Sequence, residues 1–360
     1  MSSPRRLAKT PVRLGAASWL LPLRALSATL AGLALLVLLV TVDLATGDFT
    51  LGVGEAFRAL VIGDHPAHAL LVRELRLPQA TVAVLAGAAL GLSGALTQTF
   101  ARNPLASPDI LGVTQGASLA AVLVIIQGTS AGYGGGLVDG PLQRFGLVPA
   151  AFAGGIAAAG LLWLLARRRG LDPQRLVLTG IAVSSVLTAA TQWLLVRASI
   201  NDAASAQVWL YGNLNGRGWD HAAPVAVVLA VMVPLSLLLG RHLNAIHLGH
   251  DTARGLGVRL PTTQLLTLLA AVLLAAAAVS AVGPLGFVAF VVPQIALRLT
   301  GGSRPPPVAS MVYGACLVVT ADLMCRTVLP SGVPAGVVTA CVGAPYLIWL
   351  LIRTNRRNAA

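Results

Sequence analysis

Hydrophobic residues in this chain do not alternate with polar ones at a helical or strand period. They run in long unbroken blocks separated by short clusters of arginine, proline and glycine. A helix needs about 20 apolar residues to cross the hydrocarbon core of a bilayer. Ten blocks meet or approach that length, near 26–42, 79–100, 109–127, 147–166, 176–196, 222–240, 264–282, 285–300, 308–328 and 334–352. The eighth is short, and Val282-Gly283-Pro284 blurs its boundary with the seventh. An all-α membrane protein follows, with a tail at 1–25, a ten-helix domain at 26–352 that includes a loop at 241–262, and a second tail at 353–360. Ala45-Thr46-Gly47 loosely resembles a signal-peptidase site, but the long basic segment before it favours an uncleaved first helix.

Composition agrees. Of the 360 residues 56 % are hydrophobic and 10 % charged, too few charges to cover a water-soluble surface. The net charge of +13 does not signal nucleic-acid binding, because the chain has one lysine, Lys9, and its arginines lie between apolar blocks. With ten spans and both ends cytoplasmic, the inner segments hold 18 Lys/Arg and three acids, the outer ones seven and nine. Orientation follows the Lys/Arg count, so the termini are expected in the cytoplasm. The three cysteines, Cys316, Cys325 and Cys341, lack metal or disulfide spacing.

Several chemistries lack their residues. There is no G-x-x-x-x-G-K-[ST] phosphate loop, so the chain has no nucleotide site of that kind. None of the six histidines falls inside a block, which argues against an intramembrane hydrolase. Ser93, beside Gly87-x-x-x-Gly91, reads as a helix-packing residue before a nucleophile. A self-powered carrier would place ionisable residues at mid-membrane; only Asp322 and Arg326 approach that, four residues apart near the outer end of the ninth block.

Three polar clusters remain. In the 241–262 loop, Asp251 can cap a short helix with Ala253 and Leu256 on one side, which Gly257 stops. Outside, Arg73-Glu74-Leu75-Arg76-Leu77-Pro78-Gln79 precedes the second block, with Pro78 suited to a first helical turn. Inside, Asn103-Pro104-Leu105-Ala106-Ser107-Pro108-Asp109 makes a rigid turn in which Asp109 can cap the third span.

Taken in order, Arg76-Leu77-Pro78, Leu85 to Ala95, Arg102 to Val113, Asp251 to Val258, Gly283-Pro284-Leu285-Gly286-Phe287-Val288, Val292-Pro293-Gln294, Ala321-Asp322, Val333 to Thr339 and Gly343 to Ile348 resemble the FecCD family. Its members are permease subunits of ABC importers for ferric siderophores, haem and cobalamin. The resemblance implies a cobalamin-permease-like, type II importer fold in the cytoplasmic membrane, a second permease subunit of the same or a paralogous kind, a cytoplasmic ATPase dimer, and a periplasmic or lipid-anchored binding protein. No cofactor is implied. It assigns ATPase coupling to Gly249, Asp251, Thr252, Ala253, Arg254, Leu256 and Gly257. It assigns binding-protein docking to Arg76 and Arg326; Gln79 stands where the family usually has an arginine, and Arg73 is a substitute. Ser93, Thr97 and Gln98 are candidate pathway residues, with helix packing as the competing role. Thr191 to Leu195 and Ala206 to Gly216 look closest to permeases for enterobactin-type catecholates, with cobalamin or haem permeases the nearest alternative.

Overall fold

The computed structural model describes residues 9–14, 17–47, 51, 52, 54, 55, 58, 68, 70–130, 146–166, 173–330 and 332–358. Arg5, Arg6, Arg144, Arg167 to Arg169 and Asp172, all used in the charge count, lie outside the described residues. A short antiparallel hairpin, β1 (Lys9–Leu14) and β2 (Ala17–Pro22), precedes the helices. The helices are α1 (Leu23–Ala45), α2 (Leu77–Ala101), α3 (Val113–Ser130), α4 (Leu147–Ala166), α5 (Pro173–Arg197), α6 (Ile200–Leu210) and α7 (Trp219–His247). They continue with α8 (His250–Gly255), α9 (Leu260–Val282), α10 (Val288–Thr300), α11 (Pro307–Thr327) and α12 (Ala335–Asn358).

Each of the ten predicted blocks coincides with one of these helices. Among the described residues seven are long and apolar enough to cross a membrane, while α3, α10 and α12 supply shorter apolar stretches. At 1.5 Å per residue the 13-residue α10 covers only about 20 Å. Gly283, at φ 76°, ends α9, and the backbone runs irregularly to Phe287. Irregular backbone survives at membrane depth only where protein surrounds it. Here Asn213 N–H donates to the Val282 carbonyl at 2.8 Å, and Gly336 N–H to the Gly212 carbonyl at 3.2 Å.

α2 and α9 occupy the centre of the bundle, and α1 lies at its edge. Alanine and glycine dominate the centre, so the helices come close. A Cβ on Gly87 would strike the Gly314 carbonyl, one on Gly91 the Ser310 carbonyl, and one on Gly94 the Ala289 carbonyl. Small residues four apart on both α2 and α11 thus form one seam, the usual way membrane helices gain packing where lipid offers no hydrophobic drive. The edge helix joins through Tyr313, whose hydroxyl donates to the Ala28 carbonyl at 2.7 Å.

Gly91→Val should force the seam apart and cost roughly 1–3 kcal/mol, the usual range for an overpacked core. Gly160→Ala, where an added Cβ has open space, should change nothing. Thermal unfolding of the two variants in one detergent measures the difference.

Candidate functional site

The polar residues gather at opposite ends of the bundle. At one end, α7 finishes at His247 and the chain turns at Gly249 (φ 122°) into α8. Asp251 lies in the first turn of α8 and does not cap it; its carboxylate pairs with Arg254 at 3.2 Å. Ala253 and Leu256 do not face the same way as expected. Ala253 is fully buried in a small core with Ile246, Val258 and Leu260, whereas Leu256 is 64 % exposed. One methyl group anchors α8, so Asp251, Thr252, Arg254 and Leu256 all face outward. Gly257 ends the turn at φ 77°. Arg102, left-handed at φ 50° where α2 stops, donates from Nη2 to the Ile246 carbonyl at 2.6 Å and ties α2 to this loop. In the adjoining turn Ser107 caps a single 3-10 turn, and Asp109 accepts hydrogen bonds from the Ser107 and Thr114 hydroxyls.

At the other end, Leu71–Arg76 forms a π-helical turn leading into α2, with Val72 and Arg76 on its buried side. Arg76 is buried and gives Nη1 to the Leu44 carbonyl at 2.9 Å. Arg326 pairs with Asp322 at 2.7 Å, as the four-residue spacing anticipates, and also with Asp43 on α1. Gln79 donates from Nε2 to both Asp322 oxygens at 3.1 Å, so the residue that replaces the family's arginine faces inward as well. Arg73 is the exposed one of these residues. The docking residues expected from sequence therefore divide: Arg76, Gln79 and Arg326 close α1, α2 and α11 around two buried carboxylates, and Arg73 faces out. Beside them lies an open cavity of about 640 Å³, lined by Arg76, Gln79, Asn215 and Arg326 among others. In the nearby turn Arg217 bonds the Asn213 carbonyl at 3.1 Å; burial lowers its pKa, and Asp220 partly offsets that.

Between the ends, Ser93, Thr97 and Gln98 are buried and line no open surface. Ser93 Oγ donates to the Ala271 carbonyl at 2.6 Å and Thr97 to the Ser93 carbonyl at 2.8 Å. Gln98 Nε2 donates to the Phe290 carbonyl at 2.9 Å, and its Oε1 accepts from Gln294 at 2.7 Å. These bonds make the three residues part of the packing of α2 against α9 and α10. A different set faces outward: Ser185, Thr188 and Gln192 are exposed on α5, spaced on one helical face. The spacing is present in the sequence, yet Ser184 and Thr191, on the adjoining and more buried flank of the same helix, hide it. Among the described residues no cluster of three or more His, Cys, Asp or Glu could hold a metal ion.

Residues 35–353 match the model of the FecCD transport family. The ferric enterobactin permease protein FepG of Escherichia coli K12 is 39 % identical over 317 residues, 88 % of this chain and 92 % of that one. The achromobactin permease protein CbrC of Dickeya dadantii is 39 % identical over 89 % of each chain. The iron(3+)-hydroxamate permease protein FhuG of Bacillus subtilis is 36 % identical over 79 % of this chain and 84 % of that one. Among solved structures, a metal-chelate type ABC transporter in an inward-facing conformation superposes with a TM-score of 0.77 at 25 % identity, covering 91 % of this chain and 99 % of that one. The chain with ten predicted spans, the protruding α8 and the two arginine-bearing ends belongs to the FecCD transport family of membrane permeases.

Proposed function

We propose that this chain is the permease subunit of an ATP-driven importer that moves a ferric siderophore inward across the cytoplasmic membrane, with both of its termini in the cytoplasm. Relatives named for enterobactin, achromobactin and hydroxamate chelates align at similar identity, which supports a shared class of cargo. The individual chelate is then chosen mainly by the binding protein that delivers it. The observation that carries the reading is α8: a short helix fixed by one buried methyl, with Asp251, Thr252 and Arg254 turned away from the bundle. That is a shape for entering a cleft in a soluble partner, here an ATPase dimer. ATP binding closes the dimer, α8 moves with it, and Arg102 passes the motion to α2.

The pathway runs between this chain and a second permease. Ser185, Thr188 and Gln192 on α5 are the residues we assign to it: they share one exposed face, and although Ser185 donates to the Ile181 carbonyl, lipid offers an exposed amide such as that of Gln192 no partner. A conduit of this kind needs weak contacts with its cargo rather than a tight site. At the outer end Arg73 meets carboxylates of the binding protein, and Arg76 and Arg326 hold the helices that receive it.

Purified from its own membranes in mild detergent, the chain should bring an ATPase subunit with it. Recovery alone, with chelate uptake intact in vesicles lacking ATP, would overturn the reading. Replacing Asp251 and Arg254 together should lower chelate uptake roughly tenfold while the partner still hydrolyses ATP, as loss of an interface anchor does. Both side chains are exposed, so folding is spared. Arg73→Glu should slow association of the binding protein roughly tenfold at low salt, and the difference should shrink as ionic strength rises. Stopped-flow association at several salt concentrations reads that slope.

A further inference from the structure

The turn between α10 and α11, at the α8 end of the bundle, collects cations and no anion. Arg24 on α1 donates from Nε to the Leu299 carbonyl at 2.9 Å and from Nη2 to the Arg298 carbonyl at 2.7 Å, closing the last turn of α10. Arg304, in the turn itself, reaches the Gly240 carbonyl of α7 at 3.3 Å. Arg241, the next residue on α7, is exposed. Arg298 lies over the rings of Trp349 and Tyr346 on α12, at 4.5 and 5.6 Å. Among the described residues no carboxylate comes within 4.0 Å of these four guanidinium groups.

Carbonyls and aromatic faces hold such cations in place but do not neutralise them. Two details point to a missing acceptor. Arg298 Nη1 is buried and has no hydrogen-bond partner. Arg304 is partly buried, and burial lowers its pKa with no carboxylate to oppose the shift.

The depth of the cluster identifies the anion. Gly240 stands seven residues before the end of α7, about 10 Å up the helix from the start of the α8 loop. Trp349 and Tyr346 beside Arg298 are the side chains favoured at the headgroup level. Directly above, α1 exposes Leu26, Leu30 and Leu33 on one face, and Leu299 and Val308 are exposed next to the turn. An occupant must therefore carry negative charge at one end and hydrocarbon at the other. We infer that the α1–α10–α11 corner binds the phosphate of an anionic phospholipid from the cytoplasmic leaflet, with an acyl chain along α1. Basic pockets between helices at this depth suit such headgroups.

Native mass spectrometry of the full chain, purified and delipidated, tests this with phosphatidylglycerol and phosphatidylcholine as probes. Phosphatidylglycerol should be retained in preference. Arg241→Glu, at an exposed side chain that makes no hydrogen bond among the described residues, should cut its occupancy roughly tenfold without changing phosphatidylcholine or the melting temperature in lipid-free detergent. Arg298→Gln should act in the same direction. Equal retention of the two lipids, or indifference to both variants, would overturn the inference. Displacement by millimolar inorganic phosphate would identify a soluble anion as the occupant instead. Loss of the lipid when the ATPase is present would assign the corner to protein carboxylates. Either result would also overturn it.

Discussion

The structure depends on how closely α2 can approach its neighbours. Gly87, Gly91 and Gly94 let its backbone lie against carbonyls of α11 and α10 that any side chain would push away. Dispersion falls steeply with separation, so this closeness is itself most of the packing energy where lipid and protein are equally apolar. It also lets short polar side chains act over the gap. Ser93 reaches the Ala271 carbonyl and Gln79 reaches Asp322 because the helix axes permit it. The same closeness gives the interior a polar seam with its bonds satisfied, where an unbonded hydroxyl or amide would be expensive.

Charge obeys a different constraint and so sits elsewhere. Buried carboxylates survive only where cations or strong donors meet them. Asp43 and Asp322 are admitted into helices because Arg326 serves both and Gln79 serves one. At the far end Arg24 and Arg102 are met by helix-terminal carbonyls, the partners that the negative ends of α10 and α7 present, and Arg304 by the Gly240 carbonyl within α7. Carbonyls receive arginines at both ends, as Arg76 and Arg217 show, but buried acids enclosed by a cation are found at the outer one.

The sequence disclosed most of this along the chain and little of it across the chain. Spans, their order, the short eighth helix and the Asp322–Arg326 pair all arise from neighbours within a few residues, where spacing determines geometry. The partnership of Asp43 with Arg326 joins residues 283 apart, and no local pattern announces it. Arg76 lies on the outer side, as its place in the chain implies, but its burial against the Leu44 carbonyl depends on a residue 32 positions away that no local pattern announces. The chemistry of Ser93, Thr97 and Gln98 suits a pathway and helix packing alike; which face of α2 they occupy depends on contacts with α9 and α10 that no local spacing reveals. The motif resemblance carried the family, and the geometry adds which of its residues are buried in helix contacts and which are exposed.

α2 is 25 residues long, about 38 Å, and it is gripped along its length. Gln79 holds its first turn, Gly87 and Gly91 its middle, Ser93 and Gln98 its second half, and Arg102 the residue just past its end. A hydrogen-bonded helix resists shortening, so a rod held this way can tilt but cannot compress. The glycine seam, near the midpoint and free of interlocking side chains, then serves as a fulcrum. In the import cycle proposed above, a push on the end beside α8 would swing the end beside Asp322 the other way, the motion of a seesaw: one rigid part, opening at one side of a membrane as it closes at the other.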